Sequence, residues 1–374
     1  MTYPKGDFFM DEKTKNETHY SSILQGKPIH ALMQTSEKSF TLDTITGHGT
    51  AVKNQVLIDI EDLITHKLNA NALKVLLLAL TKLTKKVSYG KEITDAEVEE
   101  KRAIIFTLKE YMELCGVCDK KTARDSLWNG IDTLLHTTLT WKETFPSLAG
   151  QTVVSYSYAG HIFEDRIAIE QLDRKNVIRN GKVYVHVGRI LTKYLLGAYI
   201  MPLSVRLLAV NSHANPHSLY LGYKLLLHYN LNINKTNATR IAVKTLLTAC
   251  PSLPQEVRQR QEKQLIIAPF ERDLDALTDE RYKILSEWTY LDAKGKKLSD
   301  KELKELSYGK WIDCSIEFHL ADYPAYQVKE AKEKRKKLTT SKAKEKKKNS
   351  ETREHPLPES KADFYDPLGL AEKN

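Results

Sequence analysis

The 374-residue sequence predicts an α+β fold of two tandem winged-helix domains, with a disordered N-terminal segment and a lysine-rich C-terminal tail. Three observations predict it. The stretch Phe106–Trp141 reads as helix, tight turn, helix, strand. Its surroundings extend this to helix, strand, helix, helix, strand, loop, strand, the winged-helix order. A comparable order of helices, strand, basic loop and strand recurs in the second half.

The first stretch is specified locally. Thr107 and Glu110 form a T-x-x-E pattern, in which hydroxyl and carboxylate satisfy orphan donors at a helix start. Leu108, Met112 and Cys115 follow at spacings of four and three, giving one apolar stripe. Gly116 stands where a helix ends in a left-handed residue, and Asp119 is placed to cap a second helix. In that helix Ala123, Leu127, Ile131 and Leu134 line one face, while Lys120, Lys121, Arg124, Asp125 and Asn129 lie off it. Two helices joined by a short turn, the second basic on its outer face, are the pattern of a helix-turn-helix. An ordinary helical hairpin with a solvated face shares that pattern.

Before this motif, residues 1–55 read as mostly flexible, and Val56–Ile60 as a short strand. Asn71 reads as the cap of a helix carrying Leu73, Leu76, Leu77, Leu80 and Leu83. Ser88–Arg102 reads as a charged connector and Ala103–Phe106 as a strand. After the motif come a strand at Thr138–Lys142, a wing at Glu143–Gln151 and an alternating strand at Val153–Ile162. Asp173–Gly181 reads as a turn-rich junction. The expected divisions are 1–55 flexible segment, 56–185 first domain, 186–325 second domain and 326–374 basic tail.

In the second domain, Asn215 and Pro216 suit a helix start, followed by Leu219, Tyr223, Leu226 and Leu227. Arg240–Cys250 reads as an apolar helix. Gln255–Gln264 reads as a polar helix, continued after a break by Pro269–Leu277. Ile284–Leu291 and Trp311–Leu320 alternate as strands around a charged loop, Ala293–Lys310.

Composition narrows the classes. The net charge of +9 is local, since Lys329–Asn349 holds eleven Lys/Arg against three Glu. The remainder is nearly neutral, so a basic surface must come from a helix face or the tail. No apolar run approaches a membrane span and the start of the chain lacks a signal core, so a cytoplasmic location and no membrane partner are expected. Four cysteines are too few for a disulfide framework. Cys115 and Cys118 have the spacing of half a zinc site, with no second half nearby. His213 and His217 are separated by the helix start at Pro216. The twelve histidines include no His-x-His, and no phosphate-binding G-x-x-x-x-G-K-[ST] loop occurs. The expectation is a non-enzymatic protein without cofactor or metal.

Three stretches carry a family resemblance: FTLKEYMELCGVCDKKTARDSL, NPHSLYLGYKLLLHYNLN, and APFERDLDAL with the Trp-containing strand and FHLADYP beyond it. Over roughly 60–325 the chain resembles the tandem winged-helix replication initiators of plasmids and mobile elements. The resemblance implies sequence-specific binding to duplex DNA repeats at an origin, opening assisted by a host initiator and helicase, and a homodimer that exchanges with a monomer. Carried over by position, Lys120, Lys121, Thr122 and Arg124 begin the first recognition helix, with Arg124 expected on a base and the lysines on phosphates. Lys142 starts the first wing. Arg258, Arg260 and Lys263 are the second-domain candidates, with Lys294, Lys296 and Lys297 on its wing. A winged-helix transcription regulator and a tyrosine nickase are the alternative functions.

Overall fold

The computed structural model describes residues 20–86, 94–146, 153–172, 178–196, 199–251, 253, 261–325 and 329. The chain opens with β1 (Tyr20–Gln25), α1 (Lys27–Leu32), β2 (Thr41–Leu42), β3 (Gly49–Lys53) and β4 (Val56–Ile60). Residues 20–55 are thus part of the fold, contrary to the expectation of a mostly flexible segment. The apolar runs there are short but are fully used: Ile23, Leu24, Ile29 and Leu32 are completely buried.

Helix α2 (Ala70–Lys85) is capped by Asn69, whose side chain accepts from the Asn71 and Ala72 amides; Asn71 is inside the first turn rather than the cap. Helix α3 (Asp95–Arg102) occupies the supposed connector, started by the reciprocal Thr94–Glu97 capping box. Then come β5 (Ala103–Thr107), α4 (Leu108–Cys115), α5 (Lys120–Leu135), β6 (Thr137–Pro146), β7 (Val153–His161), β8 (Phe163–Leu172), β9 (Ile178–Val187), α6 (Arg189–Leu196) and β10 (Tyr199–Ser204). The Thr107 hydroxyl accepts from the Glu110 amide, but the Glu110 carboxylate turns to Lys82 instead of closing the box. Gly116 has φ 65°, as the turn requires. Helix α5 packs on α2 through Gly130, where a Cβ would lie 2.8 Å from Val75 Cγ2.

The second half contains α7 (Arg206–Ala209), α8 (Ser218–Asn232), β11 (Arg240–Ala242), α9 (Val243–Ala249), α10 (Ala268–Thr278), β12 (Leu285–Leu291), α11 (Asp300–Glu305), α12 (Tyr308–Ile312) and β13 (Ser315–Leu320). Helix α8 begins two residues after Pro216. Its cap comes from afar: the His217 amide donates to the Asp273 carboxylate of α10 at 2.6 Å. Pro269 does not break its helix. A wide turn at Lys263–Ile267 precedes α10, with the Ala268 amide donating to the Lys263 carbonyl, and this continues the helix across the residue that lacks an N–H. Arg240–Ala242, expected within a helix, is a strand, and Trp311 belongs to α12 rather than to the final strand.

The sheets decide the architecture. One has the order β5-β9-β8 and another β11-β13-β12, both antiparallel. Each therefore runs first, third, second in chain order, with a preceding helix and with helices between its first and second strands. Hairpin β6–β7, expected to carry the wing of the first unit, does not join β5. It completes a sheet of order β2-β3-β4-β6-β7, pairing Val56 with Trp141 and Ile58 with Leu139. The partner of β5 is β9, where Ile104 meets Val185 and Phe106 meets Val183, all four buried. Of the supposed junction Asp173–Gly181, residues 178–181 belong to β9 and 173–177 lie outside the described residues; β8 and β9 pair antiparallel as β12 and β13 do. The β5-β9-β8 sheet leaves a row of Ile105, Tyr184 and Ile167 exposed on its other face. Strand β1 pairs with β10, and the buried side chains of both halves form one continuous cluster.

Candidate nucleic-acid interface

Among the predicted positions, the start of α5 carries two adjacent exposed lysines. Asp119 caps it, accepting from the Thr122 amide and hydroxyl at 2.7 Å each. Those bonds hold the Asp119 carboxyl below the usual carboxylate range. Lys120, Lys121 and Thr122 are exposed on the first turn. Ala123, Leu127, Ile131 and Leu134 on the opposite face are fully buried, which fixes the direction in which those side chains project.

Arg124 sits differently. Its Nε donates to Glu170 of β8 at 2.7 Å and its Nη1 to Asp125 at 3.0 Å, and its guanidinium lies 5.7 Å from the Trp128 ring centre. One turn pair further along, Arg166 of β8 contacts Asp132 at 2.5 Å. Strand β8 thus grips α5 by two ion pairs of opposite polarity, with Arg124, Trp128 and Asp132 on one side of the helix. Being partly exposed, such pairs orient the helix more than they stabilise it. Arg124 is pre-oriented by carboxylates, and Nη2 takes no part in those bonds. A base contact through this residue would use Nη2 or release Glu170. Arg166 and Glu170 were not singled out in the sequence. Their signal is the alternation Arg166, Ala168, Glu170 within a strand whose intervening residues, Ile167 and Ile169, are apolar.

The other predicted positions are dispersed. Lys142 is exposed on β6, in the five-stranded sheet rather than on the hairpin beside β5, and its carbonyl accepts from Lys27 Nζ at 2.9 Å. Arg258 and Arg260 lie outside the described residues, while Lys263 is exposed in the wide turn before α10. The exposed residues of α10 are mixed in charge, with Arg272 paired to the buried Asp273 and Asp275 accepting from Trp288 Nε1 at 3.0 Å. Lys294, Lys296 and Lys297 cluster on the turn after β12. There Asp292 accepts from the Lys294 and Lys296 amides at 2.8 Å each, and Gly295 adopts φ 82°. Lys296 and Lys297 reach Glu302 and Glu317 at 3.8 and 4.0 Å while remaining largely exposed.

Cys115 is buried and Cys118 exposed. His217 is buried beside the Asp273 cap, where burial lowers its pKa to about 4. Among the described residues no helix is long and apolar enough to cross a membrane.

No family model matches the chain, and no curated protein does. Among the solved structures similar to it are two of RctB domains. A selenomethionine derivative of domains 2 and 3 of RctB aligns with a TM-score of 0.39 and 12% identity, covering 80% of this chain and 99% of that one. A second structure of RctB domains 2-3 aligns with a TM-score of 0.38 and 11% identity, covering 78% and 97%.

Proposed function

We propose that the chain is a non-enzymatic replication initiator of a plasmid or mobile element. It binds repeated duplex sites at an origin through two winged-helix units and promotes opening with a host initiator and helicase. The observation that supports this reading is the repeated strand order, β5-β9-β8 and β11-β13-β12, each with helices between its first two strands. A winged helix has this topology, and its second inter-strand helix enters the major groove. In the first unit that helix is α5, with Lys120, Lys121 and Thr122 at its exposed start; the wing is the β8–β9 hairpin. In the second it is the helix running through α10, with Lys263 before it and Lys294, Lys296 and Lys297 on the hairpin beside it. Two linked readers multiply affinity through effective concentration. The origin, the repeats and the host factors come from the family resemblance.

Selection of duplexes from a random pool tests the reading. It should return a bipartite site, two unlike elements at fixed spacing, one for each unit. Recovery of no shared sequence would sink it, and direct repeats of the recovered site beside an AT-rich stretch near the gene would favour an initiator over a promoter-bound regulator.

A further inference from the structure

We infer that a second DNA contact lies on the seam between the two halves, where Lys27, Lys53 and Lys224 hold the phosphates of a duplex. This rests on the DNA-binding reading above but uses none of the residues assigned to the helices.

The three lysines come from distant parts of the chain: Lys27 and Lys53 lie beside the β3–β4 turn, and Lys224 is near enough to Lys53 for the two charges to act on each other. Asn54 and Gln55 form that turn with φ of 51° and 62°, the left-handed pair that closes a two-residue hairpin. Lys27 of α1 reaches over it, donating to Gln55 Oε1 at 3.2 Å and to the Lys142 carbonyl at 2.9 Å. Lys53, the residue before the turn, crosses to the second half and donates to the Thr248 carbonyl in α9 at 3.3 Å. Lys224 of α8 is half-buried on the other side of the seam. Burial and then the Lys53 charge both lower its pKa, and its own charge acts on His30 of α1. Exposed Lys142 adjoins the group through its carbonyl.

The acceptors in this cluster carry no charge. Among the described residues none of the three lysines pairs with a carboxylate; Lys27 and Lys53 meet only amide and carbonyl oxygens. Several other cations of the first half are answered by carboxylates: Lys82 by Glu110, Arg124 by Glu170, Arg166 by Asp132, Lys193 by Asp95. Like charges gathered without counter-charge repel one another, and an anion relieves that repulsion. Ammonium groups spread over a seam match a row of phosphates, which bind point charges without a sequence code. Because the cluster is shared by α1, β3 and α8, one duplex seated there would touch both halves.

The test is the salt dependence of duplex binding by the full chain and by the Lys27→Gln/Lys53→Gln/Lys224→Gln variant. Each released phosphate contact contributes about 0.9 to the slope of log affinity against log salt. The variant should lose about two to three from that slope and roughly 10- to 100-fold in affinity at moderate salt, equally on preferred and scrambled duplexes. The corresponding triple Arg variant should keep the wild-type slope. If the triple Gln variant fails to fold, Lys53→Gln alone should lower the slope by about one. An unchanged slope and affinity, with wild type binding duplex normally, overturns this surface and leaves the helix reading intact. A loss seen on single strands but not on duplex also overturns it. Wild-type protein that binds no duplex overturns both.

Discussion

Lowering the pH from 7.5 to 5 should destabilise the protein by about 4 kcal/mol, before most carboxylates begin to protonate. Two buried histidines cause this. His30 of α1 stands edge-on to Tyr223 with a ring-centre distance of 6.5 Å, and its buried Nε2 has no hydrogen-bond partner among the described residues. Burial and the nearby Lys224 lower its pKa to about 4. His217 is also lowered to about 4, by burial and then by Arg272 and Lys38. Each folded-state pKa lies below the unfolded value near 6.5, so between those values the unfolded chain binds more protons. The contribution is complete above pH 6.5 and is lost as pH falls towards 4, about 2 kcal/mol per histidine by pH 5. Asp273, raised by burial, acts in the opposite sense, because its folded form takes up a proton first. A domain's whole stability is commonly about 5–15 kcal/mol, so the effect is large. Urea midpoints at pH 7.5, 6 and 5 measure it, and His30→Gln with His217→Gln should flatten the dependence. Equal midpoints at all three pH values would contradict the burial of these rings.

The Lys120→Gln/Lys121→Gln variant should bind its selected duplex roughly 30- to 100-fold more weakly at moderate salt, with a salt slope lower by about two. Both side chains leave the first turn of α5 into solvent, and the buried face behind them leaves no other direction. The substitutions should change thermal stability little, since neither side chain is in the core and glutamine keeps the Lys121 amide that acts on the Asp119 cap. The result separates this helix from the seam: combined with the lysine changes there, the losses should add, because the sites share no residue. An α5 variant with wild-type affinity would remove α5 from the interface.

Local signals made much of the first unit legible. Thr107, Gly116 and Asp119 act within three or four residues of themselves, so the boundaries of α4 and α5 follow from short patterns. The buried positions of α5 follow from helical periodicity in the same way. Strand pairing does not work at that range. The alternation around Val154, Tyr156 and Tyr158 announces the second strand of the β6–β7 hairpin, but nothing in that hairpin distinguishes β4 from β5 as the neighbour of β6. The Ile104–Val185 and Phe106–Val183 pairs, set far apart in the chain, make that choice and give β5 the partner β9 instead of the β6–β7 hairpin. A strand as short as Arg240–Ala242 shows no period at all, so it merged with the helix beside it. Arg124 was legible as an outward residue of α5, but its hold by Glu170 was not, because the partner lies on a strand recruited by the tertiary fold. Lys27, Lys53 and Lys224 share no window of sequence, and only folding assembles them.

The central claim is that this chain reads duplex sequence, and fluorescence anisotropy of the full-length protein tests it most directly. The selected duplex and a scrambled one of equal length are titrated across a salt series. Sequence reading predicts a preference for the selected duplex that persists, or grows, as salt weakens the phosphate contacts common to both. Binding that is equal on the two duplexes and disappears with rising salt would contradict it, leaving only charge attraction.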